Sequence, residues 1–149
     1  MMTRLQQLLS GDIVPGVYRY SSRAAGKSLC QRIDQAGWLC FCIDGRAIID
    51  KLSFLNAFAA GLNFPAYFGH NWDAFEECLI DLSGVSLSDK KGVVILYDYA
   101  GLFAWAEPHE WSTALDIFRQ AVAVRLQTSA PLVVLLRGAG IDATAVETF

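Results

Sequence analysis

Three short apolar runs limit the folds open to this chain more than any other feature of its sequence. They read WLCFCI, VVILYD and LVVLLR, and they lie at Trp38–Ile43, Val93–Asp98 and Leu132–Arg137. Each run is rich in β-branched residues and nearly continuous, which is typical of strands buried on both faces of a parallel sheet. A weaker run at Gly16–Tyr20 follows Pro15 and alternates, so we expect an edge strand there.

Helical patterns fill the intervals between these runs, and a short helix precedes the first strand. The predicted helices cover Arg23–Ala36, Lys51 to about Gly61, Asn71–Leu82 and a longer segment after Pro108. Strands that alternate with helices imply right-handed crossovers and a parallel sheet covered by helices. We therefore predict a single α/β domain over residues 1–149, with three core strands, an added N-terminal edge strand, and a loose tail over residues 138–149.

Composition excludes several classes of protein. With 54% hydrophobic and 18% charged residues, the chain is not intrinsically disordered. No apolar run approaches the ~18 residues that span a bilayer, so we expect no membrane association. The N-terminal residues lack the apolar stretch of a secretory signal, which predicts a cytoplasmic protein whose four cysteines are thiols.

The charges are unevenly distributed along the chain. Residues 52–149 carry five Lys and Arg against eleven Asp and Glu, whereas residues 1–51 carry seven against four. Between residues 66 and 89 there is no Lys or Arg, but there are five acids: Asp73, Glu76, Glu77, Asp81 and Asp89. Such a segment repels phosphate backbones and attracts cationic surfaces, so we expect a basic protein partner and no direct nucleic-acid binding.

A search for catalytic and metal-binding motifs finds little. The two histidines, His70 and His109, lie in no nucleophile or metal motif, and no phosphate-binding loop or nucleophile elbow occurs. Cys40 and Cys42 are two apart on a predicted core strand, without the spacing of a zinc site, so we interpret all four cysteines as unpaired core residues. The sequence thus predicts no catalytic residue, metal or cofactor.

The most informative segment is Phe64–Leu82, which reads FPAYFGHNWDAFEECLIDL. Gly69 permits a tight turn among aromatic residues, and Asn71 can cap the helix that follows. On that helix Asp73, Glu77 and Asp81 are spaced four residues apart and form one acidic row, with Glu76 beside it. Like charges at this spacing destabilise a helix slightly, and no lysine offsets them. The alternatives are a solvated face that favours solubility and a binding surface. The aromatic turn of Tyr67 and Phe68 favours binding.

The stretch Pro65–Leu79 resembles the signature of the barstar family, intracellular inhibitors of secreted ribonucleases. The residues in family register are Pro65, Tyr67, Gly69, Asn71, Asp73, Ala74, Cys78 and Leu79. The resemblance runs from about Leu39 to Arg137. It implies a barstar-like core over residues 38–137, preceded by an N-terminal extension over residues 1–37.

The resemblance also implies a mechanism, in which a helix and its preceding loop enter the nuclease cleft and carboxylates occupy phosphate subsites. Asp73 and Glu77 would be the phosphate-mimicking acids. Glu77 replaces the usual aspartate, Glu76 stands where the barnase-inhibiting member has tryptophan, and Gln120 stands where it has glutamate. The expected partner-binding residues are Tyr67, Phe68, Gly69, Asn71, Trp72, Asp73, Glu76, Glu77, Asp81 and Gln120.

The sequence therefore predicts a non-catalytic inhibitor or immunity protein that acts on a basic ribonuclease or a nuclease toxin domain. The alternative is a non-inhibitory adaptor that reuses the fold, because fold does not dictate function. An adaptor would tolerate loss of charge at Asp73 and Glu77. An enzyme ranks third, since it would need a pocket in which polar groups converge on His70 or a cysteine.

Overall fold

The four strands form one parallel sheet in the computed structural model, which describes residues 2–142 and 146–148. The strands are β1 (Val17–Arg19), β2 (Leu39–Asp44), β3 (Val93–Asp98) and β4 (Leu132–Leu136). Their spatial order is β1-β4-β3-β2, and all three pairings are parallel. This arrangement confirms the predicted fold class and places β1 at an edge.

Among the described residues, six helices and one 3-10 turn precede or connect the strands. They are α1 (Arg4–Leu9), α2 (Gly26–Gln35), the 3-10 turn (Gly45–Ala47), α3 (Lys51–Gly61), α4 (Trp72–Asp81), α5 (Ala100–Ala106) and α6 (Pro108–Arg125). Helix α5 was not predicted. It begins directly after β3, where Tyr99 takes a left-handed conformation with φ 57° that turns the chain out of the strand. Among the described residues, no helix has the length and apolar character to cross a membrane.

The two faces of the sheet carry separate hydrophobic cores. Helices α1 and α2 cover one face through Leu5, Leu8, Leu29 and Ile33. Helices α3 to α6 cover the other face, and the core between them and the sheet includes phenylalanine side chains from these helices. The crossover through α2 carries the chain from one edge of the sheet to the other. The later crossovers then return in the opposite direction on the opposite face, as right-handed connections require.

Phenylalanine rings fill the larger core. The ring of Phe54 on α3 lies 4.4 Å from that of Phe58, 5.2 Å from Phe75 on α4, and 5.1 Å from Phe103 on α5. All four rings are fully buried. Stacked and edge-on ring pairs of this kind add to the stabilisation from burial alone. One cluster therefore fixes α3, α4 and α5 relative to one another.

The cysteines differ from the prediction of four unpaired core thiols. Cys30 on α2 and Cys40 on β2 form a disulfide, with their Cα atoms 5.3 Å apart, whereas Cys42 is exposed. The physical reason is that β2 is an edge strand covered by α2 on that face, which brings Cys30 over Cys40. The prediction that all four cysteines are unpaired is therefore wrong for Cys30 and Cys40.

The C-terminal segment also differs from the predicted loose tail. Ile141 and Val146 are buried, and the backbone N–H of Arg19 on β1 donates to the carbonyl of Glu147 over 2.8 Å. Residues 143–145 and 149 lie outside the described part of the chain. The described tail packs along the open edge of β1, because that edge offers unpaired backbone groups.

Candidate functional site

The loop before α4 is built on a turn that presents one aromatic ring and buries another. The backbone N–H of Phe68 donates to the carbonyl of Pro65 over 2.9 Å. Tyr67 at the turn is 81% exposed, whereas Phe68 is 6% exposed and its ring lies 5.3 Å from that of Phe64. Tyr67 is therefore available to a partner, and Phe68 supports the loop from beneath.

The chain enters α4 through a left-handed residue and a side-chain cap. The left-handed position is His70, with φ 52°, one residue after Gly69. Nδ1 of His70 lies 3.1 Å from the carbonyl oxygen of Phe68, which holds this conformation. Oδ1 of Asn71 accepts from the backbone N–H of Ala74 over 2.8 Å, so Asn71 caps the helix as predicted.

Helix α4 separates its apolar and acidic residues onto opposite sides. Phe75 and Leu79 are fully buried against the core. Asp73, Glu77 and Asp81 are all exposed, and Glu76 is half-buried. The row predicted from the four-residue spacing is thus a continuous carboxylate surface, with Tyr67 at the turn before its N-terminal end.

Trp72, the first residue of α4, is held in place from three sides. Its indole N–H donates to a carboxylate oxygen of Glu110 on α6 over 2.7 Å. Its ring lies 5.3 Å from that of Phe54, and Nζ of Lys51 lies 5.6 Å from the ring centroid. Trp72 is half-buried, so its main effect is to fix the start of the acidic helix. The sequence gives no local sign of Glu110 or Lys51, because they are distant from Trp72 along the chain.

The C-terminal end of α4 receives a positive charge that the local sequence lacks. Arg125 on α6 is 6% exposed, and its Nη1 donates to the carbonyl of Ile80 over 2.7 Å. Burial lowers the pKa of Arg125, and the charge of Asp81 opposes that shift. A cation at the C-terminus of a helix interacts favourably with the helix dipole. Helix α6 therefore supplies part of the compensation for the acidic row.

The thiol of Cys78 lies on the same helix as the acidic row. Burial, followed by the charges of Glu77 and Asp81, raises the pKa of the Cys78 thiol, which keeps it protonated near neutral pH. Gln120 is exposed on α6. Over residues 2–142 and 146–148, no group of three or more His, Cys, Asp or Glu side chains is arranged to hold a metal.

A cavity of about 490 Å³ lies elsewhere, at the carboxyl ends of β2 to β4, and no residue of α4 lines it. Its central groups form an ion pair, with Nε of Arg137 2.6 Å from Oδ1 of Asp98. Nη1 of Arg137 also donates to the carbonyls of Ser22 and Ala24. These bonds tie the loop before α2 to the strand ends, so we assign this pair a structural role.

Comparison with known proteins identifies the family. The sequence model of the family described as Barstar (barnase inhibitor) matches residues 38–137, which is more than half of the chain. The match begins one residue before β2 and ends one residue after β4, so it includes the aromatic loop and α4. A search of curated proteins finds no match. Members of the matched family are inhibitors rather than enzymes. This chain belongs to the barstar family.

Proposed function

We propose that this chain inhibits a basic ribonuclease by placing the acidic side of α4 and the preceding loop in the nuclease's RNA-binding cleft. The observation that carries the proposal is the exposed row of Asp73, Glu77 and Asp81, with the exposed ring of Tyr67 at one end of it. A cleft that binds RNA presents cations where phosphates sit, and carboxylates can occupy those positions.

Asp73 and Glu77 are the acids that we assign to the phosphate subsites. Both project from the exposed side of α4, one helical turn apart, and the cap at Asn71 and the packing of Trp72 fix the turn that carries them. Asp81 extends the same row by a further turn. Because Glu77 is one methylene longer than the aspartate usual in the family, we infer that its carboxylate reaches further into the partner's cleft.

The residues around the acids have distinct proposed roles. Tyr67, Gly69 and Asn71 form the loop side of the contact, and Tyr67 supplies most of its exposed aromatic area. Phe68 and Trp72 support this surface from the interior. Glu76 on α4 is half-buried and Gln120 on α6 is exposed. We assign both to the border of the contact, where they alter the charge pattern relative to the barnase-inhibiting member and so tune which ribonuclease is recognised.

The proposal is tested by steady-state kinetics of RNA cleavage with the purified chain as inhibitor. The enzymes to use are barnase and the product of any nuclease gene that lies beside this chain's own gene. Occupation of the cleft predicts competitive inhibition of at least one enzyme, in which the apparent KM rises while kcat is unchanged. Absence of inhibition of both enzymes, or inhibition that lowers kcat alone, contradicts the proposal.

A further inference from the structure

Helix α5 carries an exposed apolar stripe that the acidic site does not use. Tyr99, Leu102 and Trp105 are 50%, 44% and 85% exposed. Leu102 and Trp105 are three residues apart in α5, so they lie on one side of the helix, whereas Phe103 is fully buried. Tyr99 is the residue that precedes the helix. Single exposed apolar residues are ordinary. Two on one short helix with a third directly before it, including the most exposed large apolar side chain among the described residues, form a candidate contact surface.

The stripe lies at the same end of the molecule as the start of α4. Helix α5 joins the end of β3 to the start of α6, where Glu110 bonds to Trp72. The buried ring of Phe103 stacks on Phe54 at 5.1 Å, and Phe54 in turn contacts Trp72 at 5.3 Å. These two ring contacts connect α5 to the first residue of the acidic helix through the core. Trp105 lies five residues before Glu110, whose carboxylate accepts from Trp72, so the end of α5 lies near the start of α4.

The charge around the stripe defines the partner that it fits. Residues 92–118 contain no Lys or Arg. Of their four acids, Asp98 and Asp116 form ion pairs and Glu110 accepts from Trp72. The fourth acid, Glu107, lies two residues after Trp105. An exposed indole near a carboxylate favours a cationic side chain over its face. The molecule itself shows this contact twice, because Arg46 lies 5.4 Å from the ring of Tyr99 and Lys51 lies 5.6 Å from that of Trp72.

We propose that Trp105 and Leu102 form a second contact for the same basic ribonuclease, in which an Arg or Lys at the rim of the nuclease cleft lies over the indole of Trp105. This inference rests on the proposed function and extends it from α4 to α5. A standard protein interface covers about 800 Å² on each partner, an area larger than one helix side. Tryptophan is also the residue type most enriched among residues that dominate binding energy.

The test compares two leucines of equal exposure. Leu102 and Leu126 are both 44% exposed, and Leu126 lies at the far end of α6. Binding of the ribonuclease that the parent inhibits is measured by titration calorimetry for Trp105→Ala, Leu102→Ala, Leu126→Ala and Glu77→Ala. We expect Kd to rise roughly tenfold or more for Trp105→Ala, about threefold for Leu102→Ala, and less than about twofold for Leu126→Ala.

A second readout reports contact directly. The chain is labelled with 5-fluorotryptophan, and the Trp105 resonance is assigned by its absence in Trp105→Phe. The inference predicts that this resonance shifts when the ribonuclease binds. Suppose that Glu77→Ala weakens binding, but Trp105→Ala has the same Kd as Leu126→Ala and the resonance does not shift. The second contact is then wrong and the proposed function stands. If the parent binds neither barnase nor a nuclease encoded beside its gene, both the second contact and the proposed function are wrong.

Discussion

The indole N–H of Trp72 donates a 2.7 Å hydrogen bond to the carboxylate of Glu110, and this bond joins the start of α4 to the start of α6. Both side chains are half-buried, so solvent competes only partly for the bond. Because Asp73 follows Trp72 directly, the bond fixes the helical turn from which the first acid of the row projects. Glu110, which is not part of the acidic row, thus helps to set the orientation of the helix that carries the row.

Removal of this bond should destabilise the protein measurably. Glu110→Ala leaves the Trp72 N–H without its charged acceptor, and we expect the free energy of unfolding to fall by about 1–3 kcal/mol. Glu110→Gln keeps an oxygen acceptor and should cost less. Urea unfolding of Glu110→Ala, Trp72→Phe and the double variant gives the coupling energy. Additive losses in the double variant mean that the two side chains do not act together.

Much of the fold follows from local sequence patterns. The predicted strand Val93–Asp98 and the helix from Lys51 to about Gly61 have these bounds in the structure. The helix predicted at Asn71–Leu82 is α4, with Asn71 as its cap and Leu82 in the left-handed conformation at its end. Cap residues and apolar periodicity are local signals, and each of these elements carries them.

The features that the sequence did not predict depend on contacts between distant elements. Helix α5 has only seven residues, too few for a clear period, and Glu107 alone separates it from α6. The disulfide requires Cys30 to lie over Cys40, which depends on β2 being an edge strand. Arg125 reaches the end of α4 only because α4 and α6 pack side by side. No single segment encodes such a relationship.

Replacing Tyr97 with phenylalanine should stabilise the protein. Tyr97 is fully buried, and its hydroxyl has no hydrogen-bond partner in the described part of the chain. A buried polar group without a partner costs about 1–3 kcal/mol, so Tyr97→Phe should raise the free energy of unfolding by an amount in this range. Thermal and urea unfolding measure the change, and Tyr67→Phe, at an exposed ring, is the control. A loss of stability in Tyr97→Phe shows that the hydroxyl has a favourable partner.

The same side chain predicts a pH dependence. Burial raises the pKa of Tyr97 in the folded state above its ordinary value. The unfolded chain therefore ionises this phenol near pH 10, whereas the folded chain keeps it neutral. Because ionisation favours the unfolded chain, this group leaves the free energy of unfolding unchanged below about pH 10 and lowers it above that pH. Between about pH 9 and 11, the parent should lose more stability than Tyr97→Phe. Parallel pH profiles for the two proteins contradict this assignment.

The disulfide should contribute to stability through the short loop that it closes. Its cysteines are separated by 10 residues. Closing a loop of this size in the unfolded chain predicts a stabilisation of about 2–3 kcal/mol. Reduction, or the variant Cys30→Ser, should lower the free energy of unfolding by about this amount, whereas Cys78→Ser is the control at a free thiol. Alkylation in intact cells, followed by mass spectrometry, should label Cys42 and Cys78. Labelling of all four cysteines shows that the pair is reduced where the protein acts.

Electrostatic attraction should accelerate association with the ribonuclease. The exposed acids of α4 and the basic cleft attract each other over distances that salt shortens to a few ångströms at about 0.5 M. In stopped-flow measurements, the association rate constant should fall steeply with added NaCl, while the dissociation rate constant changes little. The variant Asp73→Asn should show a weaker salt dependence. An association rate constant that does not respond to salt contradicts electrostatic steering by these acids.

The most direct test of the central claim is a titration of ribonuclease inhibition by two charge-neutral variants. Glu77→Gln and Asp89→Asn each remove one carboxylate and nearly preserve the shape of the side chain, and both positions are exposed. Circular dichroism establishes that both variants fold. If the acidic side of α4 enters the cleft, Glu77→Gln should raise the inhibition constant roughly 30-fold or more and Asp89→Asn less than about threefold. Unchanged inhibition by Glu77→Gln together with a loss in Asp89→Asn contradicts the claim and assigns the contact to the loop after α4.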